Sequence, residues 1–251
     1  MNILAIIPAR YQSSRFPGKP LADILGKPMI QYVYERTSKV VDTIVATDDK
    51  RIFEAVNHFG GQVVMTGTHH KSGTDRCSEA LTLWEKKRHT SFDVVLNIQG
   101  DEPLIEPGQI RELISCFDNP STVIATLMRR ITSHSELFNP NIPKVITGND
   151  HHALYFSRTP VPYLRDIPTD QWLNHHTFYK HIGLYGFKKE ILHKVTGLPP
   201  SSLETAESLE QLRWLQNGFP INTFISSYDN HMVDTPGDLE KVIRILSSDN
   251  K

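Results

Sequence analysis

Three short apolar runs in the first 65 residues, each separated from the next by one amphipathic helical pattern, leave this chain few folds to choose from. Residues 3–7 (ILAII) are apolar at every position, as in a parallel strand buried on both faces. Pro28, at a first helical position, opens a pattern in which Met29, Ile30, Val33, Tyr34 and Thr37 recur along one helix face. Residues 41–46 form a second strand ending in Thr47-Asp48-Asp49, and Asp48 or Asp49 caps a helix that carries Ile52, Phe53, Val56 and Phe59. Gly60-Gly61 stops that helix, and 63–65 make a third strand. A β-α-β-α-β order with short connections is the signature of a parallel, right-handed wound sheet.

Further on, a polar loop at 66–76 leads into a helix of about a dozen residues, a strand at 92–98 and a helix that begins at Pro107. The second half changes character. Strands are expected at 123–128, 144–147, 153–156, 181–187 and 221–225, separated by longer proline-containing loops, with helices at 205–217 and from about 236. The reading is an α/β chain with a mixed, mostly parallel central sheet: one domain over 1–251, with a smaller inserted lobe at about 130–190.

Composition excludes several classes of function. Hydrophobic residues at 39% and charged residues at 22% are ordinary for a globular chain. A net charge of -1 argues against a general nucleic-acid or membrane-surface binder. No apolar run approaches the roughly 18 residues of a membrane span, and the run before Pro8 is too short for a signal-peptide core. Cys77 and Cys116 form no metal-ligand spacing. A reduced, cytoplasmic protein is expected.

The chemistry is concentrated where strands end. The loop at 8–21 (PARYQSSRFPGKPL) places Arg10, Arg15 and Lys19 within ten residues of the end of the first strand. Ligands of open α/β sheets gather outside the carboxyl ends of strands, and a cationic, glycine-containing loop there suits a polyphosphate. Gln99-Gly100-Asp101-Glu102-Pro103 ends a second buried strand on the same edge. A carboxylate beside a phosphate loop suits Mg2+, although Asp101 equally suits a turn cap. Asp234 precedes Thr235-Pro236 at a helix start, and is either the N-cap or, if Thr235 caps, a second carboxylate opposite Asp101. Ser72-Gly73-Thr74-Asp75-Arg76 is either a loop that reads a base or ribose, or a helix start capped by Thr74. In the second half, Arg158 suits a bidentate grip on a carboxylate. His181, Glu210 and Gln211 taken singly fit a sheet histidine and a solvated helix face. The twelve histidines show no HExxH-type spacing.

Taken together these segments resemble the 3-deoxy-manno-octulosonate cytidylyltransferases, the CMP-Kdo synthetases. The resemblance runs from about residue 3 to 245 and is carried by nine stretches in order. They are IPARYQSSRFPGKPL (7–21), ATDD (46–49), SGTDR (72–76), NIQGDEP (97–103), NPNIPKV (139–145), ALYFSR (153–158), HIGLYGF (181–187), LEQLR (209–213) and VDTP (233–236). It implies a Rossmann-like nucleotidyltransferase fold, with an inserted lobe for sugar binding and dimerisation. It also implies transfer of CMP from CTP to the anomeric hydroxyl of an eight-carbon ulosonic acid, with release of pyrophosphate, for lipopolysaccharide biosynthesis.

The same resemblance assigns Arg10, Arg15 and Lys19 to the triphosphate, and makes these three with Asp101 the catalytic group. Ala9, Ser72, Thr74, Arg76 and Gln99 fall on the cytidine side. Asp101 and Asp234 hold Mg2+. Arg158, His181, Tyr185, Glu210 and Gln211 make the sugar site, and a homodimer is implied. Gly237 departs from the family's usual Glu after Thr-Pro, a loss worth a few tenths of a kcal/mol to the helix start. Rival readings are a cytidylyltransferase for a sialic acid or an amino-substituted octulosonate, a nucleotide-sugar glycosyltransferase, and a nucleotide-sensing domain. Glycosyltransferases of this kind carry Asp-x-Asp at a strand end, where this chain has Asp101-Glu102-Pro103.

Overall fold

The structure is a computed structural model that describes residues 1–12 and 16–249. The chain divides into two compact units, Met1–Arg111 with Asn230–Lys251, and Glu112–Asp229. The second is broader than the 130–190 segment suggested by sequence.

The first unit begins with β1 (Ile3–Ala9), whose Leu4, Ala5, Ile6 and Ile7 are fully buried. A small hairpin, β2 (Asp23–Ile24) and β3 (Lys27–Pro28), precedes α1 (Met29–Thr37). Then come β4 (Asp42–Thr47), α2 (Lys50–His58), β5 (Val63–Met65), α3 (Gly73–Arg88) and β6 (Val94–Asn97). These strands lie in the order β6-β1-β4-β5, all parallel, with Ile6 opposite Ile44 on one side and Asn97 on the other. The chain thus winds outward from β1 through β4 to β5 and returns through β6 on the far side of β1. Such a reversal opens a crevice at the strands' carboxyl ends. The caps that start the helices are local. Asp49 accepts from the Arg51 amide, and Ser72 forms a reciprocal capping box with Asp75. Cys77, Ala80, Leu81 and Trp84 then give α3 its buried stripe.

After α4 (Pro107–Ser115), the second unit contains β7 (Ile124–Arg130), α5 (His134–Leu137), β8 (Lys144–Thr147), β9 (Ala153–Ser157) and α6 (Trp172–His175). It continues with β10 (Tyr179–Lys188), α7 (Lys189–Thr196), α8 (Ser202–Glu207), α9 (Gln211–Gln216) and β11 (Asn222–Ile225). Its pairing is mixed: β11 runs parallel to β7, whereas β10 is antiparallel to both β7 and β8, and β8 to β9. The β10–β7 register shifts between Ile182 and Tyr185. Ile131, Leu137, Trp172 and Phe178 form a small core of their own. The single helix expected at 205–217 is two helices. Ser208, at φ 51°, ends α8 in the left-handed region, and the chain restarts as α9.

The chain returns to the first unit with α10 (Pro236–Asp249). Its Val242 and Leu246 pack with Ile24, Met29, Leu104 and Val233. Together these residues anchor the segment that carries Asp234.

Candidate active site

Because β1, β4, β5 and β6 are parallel, the residues just past their ends (Arg10, Asp48, Thr66 and, after Ile98, Gln99) leave the sheet at one edge. Two glycines let loops close on the end of β1. A Cβ on Gly100 would stand 3.1 Å from the Pro8 carbonyl oxygen, and one on Gly73 would stand 3.1 Å from the Pro8 ring. The first loop doubles back on itself: the Gly18 amide donates to the Tyr11 carbonyl at 2.8 Å, with Gly18 at φ 74°. The Tyr11 ring fills the space where a Gly18 side chain would be, at 3.0 Å, and stacks on its other partner, the Arg51 guanidinium, at 3.3 Å. Only glycine meets both demands at position 18.

That fold-back delivers Lys19 to the carboxylates. Its Nζ lies 2.6 Å from Asp101 Oδ2 and 3.5 Å from Asp234 Oδ1, with the Lys19 side chain 13% exposed. The Val233 amide donates to the Asp101 carbonyl at 2.9 Å, tying the two acidic segments together through the backbone. Of the two alternatives at the helix start, the cap is Thr235. Its amide and hydroxyl donate to Asp238 Oδ2 at 3.1 and 2.7 Å, and its Oγ1 accepts from the Asp238 amide at 3.3 Å. Asp238 thereby supplies the first-turn acid that Gly237 does not. Asp101 Oδ1 is buried with no hydrogen-bond partner. Two carboxylates sharing one ammonium, with one oxygen unsatisfied, are a hard-oxygen donor set that fits Mg2+. Next to them Glu102 is fully buried, and burial, with the Asp101 charge second, pushes its carboxyl up to about 8.

The residues assigned to the base side are held tightly. The Ser72 hydroxyl accepts from the Asp75 amide at 3.0 Å, so the cap lies at Ser72 and not at Thr74. Thr74, 1% exposed, accepts from Asn97 Nδ2 at 3.3 Å. Arg76, 3% exposed, donates to Asp48 Oδ2 at 2.8 Å, to Thr66 Oγ1 at 2.6 Å and to the Gly67 carbonyl at 3.4 Å. Ala9 is buried as the last residue of β1, Gln99 is half-buried, and Arg10 is exposed. Arg15 lies outside the described residues.

The second unit carries the residues assigned to the sugar. His181 on β10 is buried, with its Nε2 2.9 Å from Thr126 Oγ1 and its ring edge-on to Phe156. Burial lowers its pKa to about 3, so the ring is neutral near pH 7. Tyr185 lies 5.2 Å from it, centroid to centroid, and 5.0 Å from Trp214. Burial first, and the Glu210 charge second, raise the Tyr185 phenol well above its ordinary value. The Tyr185 hydroxyl, Gln211 Nε2 and Trp214 Nε1 are all buried without a hydrogen-bond partner. Buried polar atoms are almost always paired, so these three, around one strand and one helix, have bonding capacity left for a polar ligand. Glu210 stands at the start of α9, 3.4 Å from Arg213.

Arg158 is engaged differently. Its guanidinium donates to the carbonyls of Glu207, Pro140 and Ser208 at 2.5, 2.9 and 3.1 Å, and its amide to the Glu207 carboxylate at 2.9 Å. Glu207 also accepts from the Ser157 hydroxyl at 3.1 Å. Sequence reasoning missed Glu207, Trp214 and the Asp48–Arg76 pair. Trp214 follows Gln211 by three, a helical neighbour on the same face. Asp48 was visible within ATDD but was read only as a possible cap.

A cytidylyltransferase family model matches residues 4–225. A 3-deoxy-manno-octulosonate cytidylyltransferase from Parabacteroides distasonis is 53% identical, covering 99% of each chain. One from Geobacter sulfurreducens is 47% identical, covering 98% of this chain and 100% of its own. The solved structure of a CMP:2-keto-3-deoxy-manno-octonic acid synthetase complexed with CTP superposes with a TM-score of 0.89 at 41% identity, covering 99% and 100% of the two chains. Agreement in fold, in length and in about half of all residues leaves one conclusion: the chain belongs to the 3-deoxy-manno-octulosonate cytidylyltransferase family of nucleotidyltransferases.

Proposed function

We propose that this chain transfers CMP from CTP to the anomeric hydroxyl of 3-deoxy-D-manno-octulosonate, giving CMP-Kdo and pyrophosphate. The observation that carries the reading is Lys19 held between Asp101 and Asp234 at the edge of a parallel sheet. The nucleophile is a hydroxyl on a carbon that also bears a carboxylate, and it approaches a polyanionic nucleotide. Cations are therefore needed to bring the two together and again as charge shifts toward pyrophosphate.

Arg10 and Arg15 hold the triphosphate. Lys19 keeps the carboxylate pair together in the free chain and turns to the phosphates when substrate arrives. Asp101 and Asp234 would hold Mg2+, which would supply positive charge beside the phosphates and make the sugar hydroxyl more acidic. Ala9, Ser72, Thr74, Arg76 and Gln99 frame the cytidine, with Arg76 braced by Asp48. Tyr185, Gln211, Glu210 and His181 bind the sugar hydroxyls, and Arg158 shapes the same region or meets the carboxylate with its two remaining N–H groups. His181, held neutral with a low pKa, and Tyr185, held protonated, serve as hydrogen-bond partners and not as proton acceptors. No covalent enzyme intermediate is required. Among the described residues no helix is long and apolar enough to cross a membrane. The reading places the enzyme in the cytoplasm, where CTP is available, as a homodimer.

The test is product analysis with Kdo labelled by 18O at the anomeric hydroxyl. Attack by that hydroxyl leaves the label in the bridge of a CMP–sugar product, read by mass spectrometry. Absence of product, or product with an unlabelled bridge, overturns the reading.

A further inference from the structure

Adjacent histidines occur at 69–70, 151–152 and 175–176. Among the described residues, only the first pair is joined by an acidic side chain into a three-donor group. The ligand atoms of His69, His70 and Glu79 all lie within 4.8 Å of one another. His70 Nε2 is in direct contact with Glu79 Oε2, which also accepts from the Gly67 amide at 2.9 Å. The two imidazole rings stand 4.3 Å apart, centroid to centroid. A Cβ on Gly67 would lie 2.5 Å from His69 Nδ1 and 3.5 Å from Glu79 Oε2, so the missing side chain there makes room for both donors. Glu79 belongs to α3, and the two histidines belong to the loop that enters it. The group is therefore anchored on one side by a rigid helix.

We propose that His69, His70 and Glu79 form a binding site for a divalent transition-metal ion, Zn2+ in chemical type, separate from the Asp101–Asp234 pair. Two imidazole nitrogens and one carboxylate oxygen are a borderline-soft set that suits Zn2+ or Co2+ and not Mg2+. Donors around a tetrahedral Zn2+ with bonds of about 2.1 Å stand roughly 3.4 Å apart, so side-chain rotation closes the site without moving the helix. The ion takes the place of the proton between His70 and Glu79. Because its ligands must be deprotonated, binding weakens in acid. A filled site would pin the 66–71 loop, and with it Thr66 and Gly67, which brace Arg76.

The experiment uses the full chain, stripped of metal and held in excess Mg2+ so that the carboxylate pair is occupied, and titrated with Co2+. The expected result is one Co2+ per chain with the visible bands of nitrogen-ligated cobalt, displaced by Zn2+. His69 is exposed, so His69→Ala keeps the loop latch of His70 and Glu79 intact. It should weaken binding by more than the roughly 10–100-fold that loss of a ligand's outer partner costs. Glu79→Gln should do the same, and His175→Ala should change nothing. No nitrogen-ligated cobalt spectrum in the parent chain, or equal affinity in His69→Ala, overturns the proposal.

Discussion

Two clusters, the charged one around Lys19 in the first unit and the neutral one around Tyr185 in the second, hold their polar groups differently. In the first, side chains at the strand ends are bonded to one another: Lys19 to Asp101 and Asp234, Arg76 to Asp48 and Thr66, Ser72 to the Asp75 amide. In the second, the Tyr185 hydroxyl, Gln211 Nε2 and Trp214 Nε1 are buried with no partner. Under the proposed function the contrast follows from the ligands. A polyphosphate needs full charges, and in a half-buried site these are paired with one another, one Asp101 oxygen excepted, until substrate exchanges places with them. A sugar needs neutral donors and acceptors, and an unsatisfied neutral group costs only about 1–3 kcal/mol. The protein can carry that cost permanently and recover it on binding.

The largest test of the comparison lies in the charged set. Asp101→Asn or Asp234→Asn is expected to lower turnover at least about a hundredfold, near 2.7 kcal/mol of barrier, with the fold intact by circular dichroism. Near-normal turnover of both variants at saturating Mg2+ would break the assignment. Lys19→Ala should cost tens of fold or more in turnover, by loss of one charged donor to the transition state. Steady-state kinetics at saturating CTP measures it, and a change confined to the CTP KM would show that Lys19 only binds.

The neutral set should respond with the opposite sign in stability. Tyr185→Phe removes an unpartnered buried hydroxyl, so the free chain should melt at the same temperature or higher. The KM for Kdo should rise about tenfold, one hydrogen bond's worth, while the KM for CTP stays put. A smaller effect concerns the scaffold: Thr235→Ala breaks the capping box at α10 and should cost ~1 kcal/mol in denaturant unfolding. The gentlest probe is pH. His181 binds its proton only near pH 3 when folded and near 6.5 when unfolded. Between those values the unfolded chain holds more protons, so this group makes stability fall as pH drops, by at most ~1.4 kcal/mol per unit. His181→Gln should flatten that part of the stability profile.

The first unit was largely legible in the sequence because its chemistry sits in contiguous loops after uninterrupted apolar strands. PARYQSSRFPGKPL and QGDEP announce themselves, and a parallel sheet brings strand ends together without further information. Asp234 required the fold: whether it or Thr235 caps α10 depends on Asp238, which sequence reasoning did not weigh. Arg76 and Asp48 are 28 residues apart, and the fold brings them within 2.8 Å by placing the start of α3 beside the end of β4. The second unit was less legible because its pairing is non-local and its helices are short. The pattern at 205–217 has helical spacing throughout, yet Ser208 turns left-handed and splits it. Trp214 was hidden for the same reason that it matters: a tryptophan on an apolar helix face looks like core until its indole N–H is found without a partner.

The most direct measurement is pyrophosphate release by the purified chain with Mg2+, across the four ribonucleoside triphosphates and three acid sugars: Kdo, 8-amino-Kdo and a sialic acid. The account predicts release with CTP and Kdo together, and background rates for every other pair. Release with an amino sugar or sialic acid but not Kdo, or no release with any sugar, would contradict it.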